Sequence, residues 1–209
     1  MIADGWLEDT RTSYDTVATS YVDMVPDLVA ADPFLRGALA LFADMVPSGG
    51  PVADVGCGPG HVTARLHDLG IDAFGIDLSP TMIEVARRAH PALRFEVGSM
   101  TDLPLADASV DGLLAWWSLI HIPDDAMPAV LAHFRRVLRQ GGPLQVGFHV
   151  GDESRLKTEG YGGHPMKVHV HRRQPDQVAT WLTDAGFTVK AHLNLDPHST
   201  RPQAIIFAT

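Results

Sequence analysis

The stretch VADVGCGPGH, residues 52–61, places Gly56, Gly58 and Gly60 directly after a run of small and apolar residues. Glycine lacks a Cβ, so three at this spacing let a ligand lie against bare main chain. Two carboxylates accompany the loop: Asp54 precedes Gly56 by two residues, and Asp77 ends the next apolar run, DAFGID. A carboxylate at the end of a second strand can accept both hydroxyls of a ribose. The repeat is G-x-G-x-G, and His61 stands where a dinucleotide fingerprint has its third glycine. That glycine normally lets the helix pack close to the strand while a pyrophosphate sits at the helix N-terminus. No Gly-Lys-Ser/Thr follows, which excludes a P-loop. Asp54 would repel a phosphate and suits an ammonium group or the orientation of loop amides. The pattern points to a ligand with a ribose and without a pyrophosphate.

The elements that must position these groups alternate along the chain. Residues 10–25 carry Tyr14, Val17, Ala18, Tyr21 and Val25 at helical spacing. Residues 33–46 read as a second helix, ended by Pro47 and Gly49–Gly50. Strands are predicted at 51–56, 72–77, 93–97, 110–116 and 144–150, and helices at 61–69, 80–89 and 124–140. Ser79 and Pro80 form the start of the 80–89 helix. Residues 151–174 are polar and glycine-bearing apart from the alternating piece MKVHVHRR; a helix over 175–185 and strands over 187–195 and 203–208 close the chain. Strands alternating with helices imply a doubly wound, mostly parallel sheet with a closing antiparallel strand. Its glycine loop lies at the carboxyl end of the first strand, where open α/β sheets bind ligands.

Composition bounds the partners. A chain of 209 residues, 45% hydrophobic, suits one globular domain without internal repeats. A formal charge of −9 argues against nucleic acid, which needs a basic face. No run approaches a membrane span, and residues 1–28 lack a signal peptide's basic start and apolar core. The single cysteine, Cys57, suits a reducing compartment, so a cytoplasmic protein is expected.

ADVGCGPG resembles the first motif of the class I S-adenosylmethionine-dependent methyltransferases, and GIDLSPTMIEVAR their second. FEVGSMTDLPLADASVDGLLAWWSLIHIPD is similar to their stretch from the adenine-binding loop to the fourth strand. RRVLRQGGPLQVGF resembles the helix, double glycine and fifth strand that follow. SYDTVATSYVDMV is similar to the Y-D-x-x-A-x-x-Y helix of the small-molecule branch, and QPDQVATWLTDAGF to its late helix. The resemblance spans nearly the whole chain in order. It implies a Rossmann-like seven-stranded sheet with S-adenosylmethionine as cofactor and S-adenosylhomocysteine as product. Gly56, Cys57, Gly58 and Gly60 would then flank the cofactor's methionine part, supported by Asp54. Asp77 would bind the ribose, Leu78 would pack on the adenine, and Ser99 and Met100 would meet the adenine edge. Relatives often have Asp where Ser99 stands, so the adenine amino contact falls to a backbone group or to Asp102. Ala115, Trp116, Trp117 and Ser118 would follow the fourth strand toward the sulfonium, Trp117 on the substrate side. Tyr14 would close over the cofactor's amino-acid end, with Tyr21 toward substrate. At most one of the two tryptophans is expected to line a pocket, since adjacent strand residues face opposite ways. Cys57 reads as a filler in this loop rather than a nucleophile.

The histidines admit three readings: metal ligands, structural or solvated side chains, and general base or anion partner. His169 and His171 share one face of MKVHVHRR, but no carboxylate or cysteine stands at a supporting spacing, so no metal is expected. His121 follows the fourth strand and His149 lies at the end of the fifth; His121 is the first candidate base. Five cations against three carboxylates give residues 151–174 a local charge of +2. That segment is either a solvated loop or an attractor for an anionic substrate. The expectation is that His169, His171 and Lys167 wall a pocket for a polar or anionic acceptor, with Val168 and Val170 toward the core. The whole reads as one methyltransferase domain over 1–209, with a helical lid over 1–46 and a substrate-side insertion over 151–174. It would act on a small molecule, as monomer or homodimer, with no nucleic acid and no membrane as partner. The rivals are an NAD(P)-dependent oxidoreductase and a catalytically silent S-adenosylmethionine-binding protein.

Overall fold

The computed structural model describes residues 5–24, 28–47 and 49–209. Helix α1 (Trp6–Met24) starts earlier than the apolar spacing predicts, because Asp9 N–H already donates to the Gly5 carbonyl. Val25, assigned to its apolar face, lies outside the described residues. A short α2 (Leu28–Ala31) leads into α3 (Pro33–Met45), capped by the Asp32 carboxylate, which accepts from the Phe34 and Leu35 N–H groups.

The predicted alternation follows: β1 (Pro51–Val55), α4 (His61–Asp68), β2 (Asp72–Asp77), α5 (Pro80–Ala89), β3 (Arg94–Val97) and β4 (Gly112–Trp116). After β4 a 3₁₀ turn (Leu119–His121) precedes α6 (Met127–Val137) and β5 (Leu144–His149). Helix α6 is shorter than the predicted 124–140. Pro128 confines its start to the first turn, and at its end Leu138 leaves the helix to bridge Val110. That bridge also keeps Val110 out of β4 proper. The segment 151–174 is a hairpin of β6 (Ser154–Gly160) and β7 (His164–His171). SRLKTEG has no apolar alternation, so β6 is invisible in sequence; it forms because β7 offers it an edge. Helix α7 (Pro175–Asp184), β8 (Val189–Leu195) and β9 (Gln203–Ala208) complete the chain, and Phe187 closes α7 instead of starting the strand.

Seven strands form one sheet in the order β3-β2-β1-β4-β5-β9-β8. All neighbours are parallel except β9, which runs against both β5 and β8. Alternate strand residues feed two cores. Ala53, Val55 and Ile76 meet α6 and α7 on one face, while Val52, Ala73 and Leu114 meet α3 and Leu66 on the other. Burial on both faces explains why the strands read as continuous apolar runs. The strand order reverses between β1 and β4, which opens a crevice at the sheet's carboxyl end. Among the described residues no helix is long and apolar enough to cross a membrane.

Candidate active site

The loop after β1 is held by main chain. Gly56 and Cys57 both donate to the Ile76 carbonyl, at 2.7 and 3.1 Å. Gly56 turns at φ +78 so close to the β4 exit that an added Cβ would lie 2.2 Å from Ser118 Cβ. Gly58 (φ +52) is different: a Cβ there would meet nothing within 4 Å, so its bare backbone faces open space. Gly60 packs against the Phe95 ring and does not line the cavity.

Asp77 joins this loop to the next. Its Oδ2 accepts from Gly58 N–H at 2.8 Å and its Oδ1 from Ser79 N–H at 2.9 Å. Each oxygen keeps a second lone pair for a ligand hydroxyl. Burial raises the Asp77 pKa, offset by these amide bonds. Asp54 is fully buried; its Oδ2 accepts from Thr63 Oγ1 at 2.7 Å, while Oδ1 has no partner among the described residues. Burial, less the Thr63 bond and reinforced by the Asp77 charge, pushes the Asp54 carboxyl up to about 7. A half-satisfied buried carboxyl of this kind suits a cationic ligand group. The Cys57 thiol is buried against Gly75 and Phe95, and burial pushes its pKa up.

Helix α1 roofs the crevice through polar staples. Asp15 Oδ1 accepts from Ser79 Oγ at 2.6 Å and from Thr81 N–H at 3.1 Å at the start of α5. Ser13 Oγ accepts from Lys167 N–H of β7 at 2.8 Å. Tyr14 Oη lies 2.7 Å from His121 Nε2, and His121 Nδ1 lies 2.8 Å from the His169 carbonyl. A carbonyl only accepts, so the proton is on Nδ1, Nε2 carries the lone pair, and Tyr14 donates to it. Burial holds the imidazole down to about 4, against the raising effect of the carbonyl bond. The Tyr14 phenol is pushed well up by burial.

The turn that carries His121 is gripped by Arg173, only 2% exposed. Its guanidinium donates to the Leu119 carbonyl at 3.0 Å, to the Ile122 carbonyl, and to Asp124 Oδ1 at 2.9 Å. In the sequence Arg173 is one more cation of a basic segment; its burial depends on the fold.

Together these elements enclose a cavity of about 360 Å³. Tyr14, Tyr21, His121 and His149 reach it, as do Asp54, Gly56, Cys57, Gly58 and Asp77. Leu78, Ser99 and Met100 line it beside β2 and β3. Ser99 Oγ is also paired with Thr101 Oγ1 at 2.6 Å, and Asp102 stays outside the lining. Trp116, Trp117 and Ser118 line it beyond β4, so both tryptophans face the pocket where one was expected. Trp117 has φ +50, which breaks the strand alternation after Trp116. Ala115 is fully buried in the core under α6 and takes no part.

His169, His171 and Lys167 are not in the lining. Strand alternation turns Met166 and Val168 toward α1, which puts these three on the opposite face of the hairpin. Lys167 pairs with Asp9 at 2.8 Å, and His171 Nδ1 lies 2.6 Å from Ser154 Oγ. What β7 brings to the site is the His169 carbonyl. Trp6, Val29, Leu35, Tyr161 and Gln203 line the cavity without having been singled out in the sequence. They are apolar or neutral residues from distant segments, and no spacing marks them. Among the described residues no group of three His, Cys, Asp or Glu is placed to hold a metal ion.

Comparison with known proteins agrees with this geometry. Residues 52–142 match the family described as "Methyltransferase domain". An O-methyltransferase of Penicillium expansum is 39% identical over 96% of this chain and 79% of its own length. Another O-methyltransferase, of Pyrenophora dematioidea, is 32% identical over 78% of this chain, which spans only 64% of that relative. The crystal structure of Burkholderia thailandensis 1,6-didemethyltoxoflavin-N1-methyltransferase, with bound 1,6-didemethyltoxoflavin and S-adenosylhomocysteine, superposes with a TM-score of 0.75 at 23% identity. That superposition covers 100% of this chain and 90% of the other.

Proposed function

This chain belongs to the class I S-adenosylmethionine-dependent methyltransferases, and on that premise we propose that it methylates a small molecule. S-adenosylmethionine supplies an activated methyl group on a sulfonium, and S-adenosylhomocysteine is the product. The donor set fits this group. The observation that carries the reading is the Asp77 carboxylate tied to Gly58 beside an open backbone, with a half-satisfied Asp54 beneath. Asp77 would hold the ribose hydroxyls, the Gly56–Gly58 backbone the methionine part, and Asp54 Oδ1 would be available to its ammonium. Leu78 and Met100 would contact the adenine. A pyrophosphate would meet two buried carboxylates here, so the oxidoreductase alternative is disfavoured.

The chain's own contribution is orientation and exclusion of water under α1, where positioning can be worth roughly 7–11 kcal/mol. His121 has its Nε2 occupied by Tyr14 and is held neutral, so we assign it the orientation of Tyr14 and not the removal of a proton. Tyr14, its only proton committed, offers lone pairs alone to a ligand donor. We take residues 1–209 as one methyltransferase domain, with α1 as its roof, α3 against one face of the sheet and the β6–β7 hairpin as a brace for the roof, acting as monomer or homodimer. Calorimetry with S-adenosylmethionine against NADH tests the cofactor. Turnover of a metabolite panel, read as a mass gain of one CH₂, tests the reaction and separates an enzyme from a silent binder. Tight NADH binding without S-adenosylmethionine binding would refute the proposal.

A further inference from the structure

One end of the cavity lies on the α3 side of the sheet. Val29 and Leu35 belong to the buried cluster there, Trp116 and Trp117 pack against it, and all four also line the cavity. The floor is polar: His149 and Gln203 are register partners across β5 and β9, and both line the cavity. The two indoles meet edge to face, with centroids 4.8 Å apart and planes at 68°.

Trp117 carries two costs that packing alone does not repay. Its backbone sits at φ +50, in the left-handed region that bulky residues avoid. Its Nε1 is buried without a hydrogen-bond partner among the described residues. Strained backbone and unsatisfied buried donors both concentrate where a ligand completes a site. The orientation of the ring is also set. A Cβ on Gly147 would lie 2.8 Å from both Cε3 and Cζ3 and 3.3 Å from Cδ2, so one face of the benzo ring lies over β5. Nε1 belongs to the pyrrole half of the indole and is not among the ring atoms nearest Gly147. An indole N–H only donates, so what it lacks is an acceptor.

We infer that this chamber takes a planar aromatic ring of the methyl acceptor and that Trp117 Nε1–H donates to a carbonyl oxygen on that ring. The inference rests on the methyltransferase reading and names the class of its substrate. Flat ligands stack or meet edge-on with indoles, whereas a puckered saturated ring of the same size does neither.

Three probes separate these features: umbelliferone, a flat bicyclic phenol with a carbonyl; β-naphthol, flat without one; and decahydronaphthol, saturated. Each is titrated by calorimetry into protein saturated with S-adenosylhomocysteine, whose own binding is measured first. Both flat probes should bind, and decahydronaphthol should bind at least about tenfold more weakly than β-naphthol. Trp117→Phe should weaken umbelliferone by roughly tenfold, the loss of one hydrogen bond to a buried donor, and change β-naphthol less than twofold. Equal losses for both probes, no loss for either, or decahydronaphthol binding as well as β-naphthol would overturn the inference. If Trp117→Phe fails to fold, Leu35→Trp fills the chamber instead. It should abolish binding of both flat probes with S-adenosylhomocysteine still bound, and undiminished probe binding would count against the chamber. A wild-type protein that does not bind S-adenosylhomocysteine would instead remove the methyltransferase reading.

Discussion

Tyr14 and His121 are 107 residues apart in sequence, and their Oη and Nε2 atoms are 2.7 Å apart in the fold. The His169 carbonyl fixes the tautomer on the far side of the ring, so the phenol is the donor. One consequence concerns acid stability. The unfolded chain takes up a proton on this histidine below about 6.5, the folded protein only near 4. Stability from this group is therefore complete above 6.5 and is lost as pH falls toward 4. Between pH 7.5 and pH 5 the loss should be about 2 kcal/mol. His121→Gln should show a correspondingly smaller fall in urea-unfolding free energy over that interval. An equal fall in both proteins would mean that the ring is not held neutral.

The same pair governs catalysis. If His121 orients Tyr14, the kcat profile of the wild type should lack a limb near the ordinary histidine pKa. Tyr14→Phe should then impair cofactor affinity and turnover, and His121→Phe at least as much, because the latter also removes the bond to the His169 carbonyl. A titration near pH 6.5 that vanishes only in His121→Phe would restore the histidine as a base.

Asp77 should prove more sensitive than its single charge suggests, since it holds two loop amides. Asp77→Ala should cost about 1.5–3 kcal/mol of cofactor binding for each charge-assisted hydrogen bond lost. Gly58→Val should eliminate binding, by both bulk and strain at φ +52. Wild-type affinity for S-adenosylmethionine in both variants would dissociate the loop from the cofactor.

Asp54 should make cofactor binding release protons. The fold keeps this carboxyl protonated up to about 7, whereas the unfolded chain ionises near 3.8, so the group costs stability as pH rises between those values. A bound ammonium would draw it into the ionised form. Near pH 6.5 the calorimetric heat of binding should therefore differ between phosphate and Tris buffers, and Asp54→Asn should erase the difference. Identical wild-type heats in the two buffers would separate Asp54 from the ligand.

On the outer face of the hairpin the expectation is reversed from what the H-x-H spacing implies. Because His169 acts through its carbonyl and its side chain is exposed, His169→Ala should keep cofactor affinity and KM within about twofold, as surface changes usually do. A marked rise in substrate KM would place that ring at the pocket after all. Arg173→Met, by contrast, should cost about 3–5 kcal/mol, since it deletes a buried charge with its carbonyl partners. Asp124→Asn should cost less, because the half-exposed Asn keeps an oxygen that accepts from the guanidinium. Equal costs would show that the ion pair, and not the grip on the 3₁₀ turn, is what matters.

Local chemistry along the chain was enough to determine the alternating elements, the glycine loop and its two carboxylates. Each of those is written within a few residues: a helix cap at Ser79, an apolar run before Gly56, an acid ending β2. Trp117 and Ser118 were singled out by the family resemblance and His121 by its place after the fourth strand, and all three line the cavity. Only tertiary structure decided what those residues do. Whether His121 is a base or an anchor depends on a phenol from α1 and a carbonyl from β7, neither near it in sequence. Strand β6 exists because β7 presents an edge, Arg173 is buried because the 3₁₀ turn surrounds it with carbonyls, and Trp117 enters the cavity because its backbone leaves the strand. These are long-range pairings, and a periodicity of two or 3.6 residues carries no information about them.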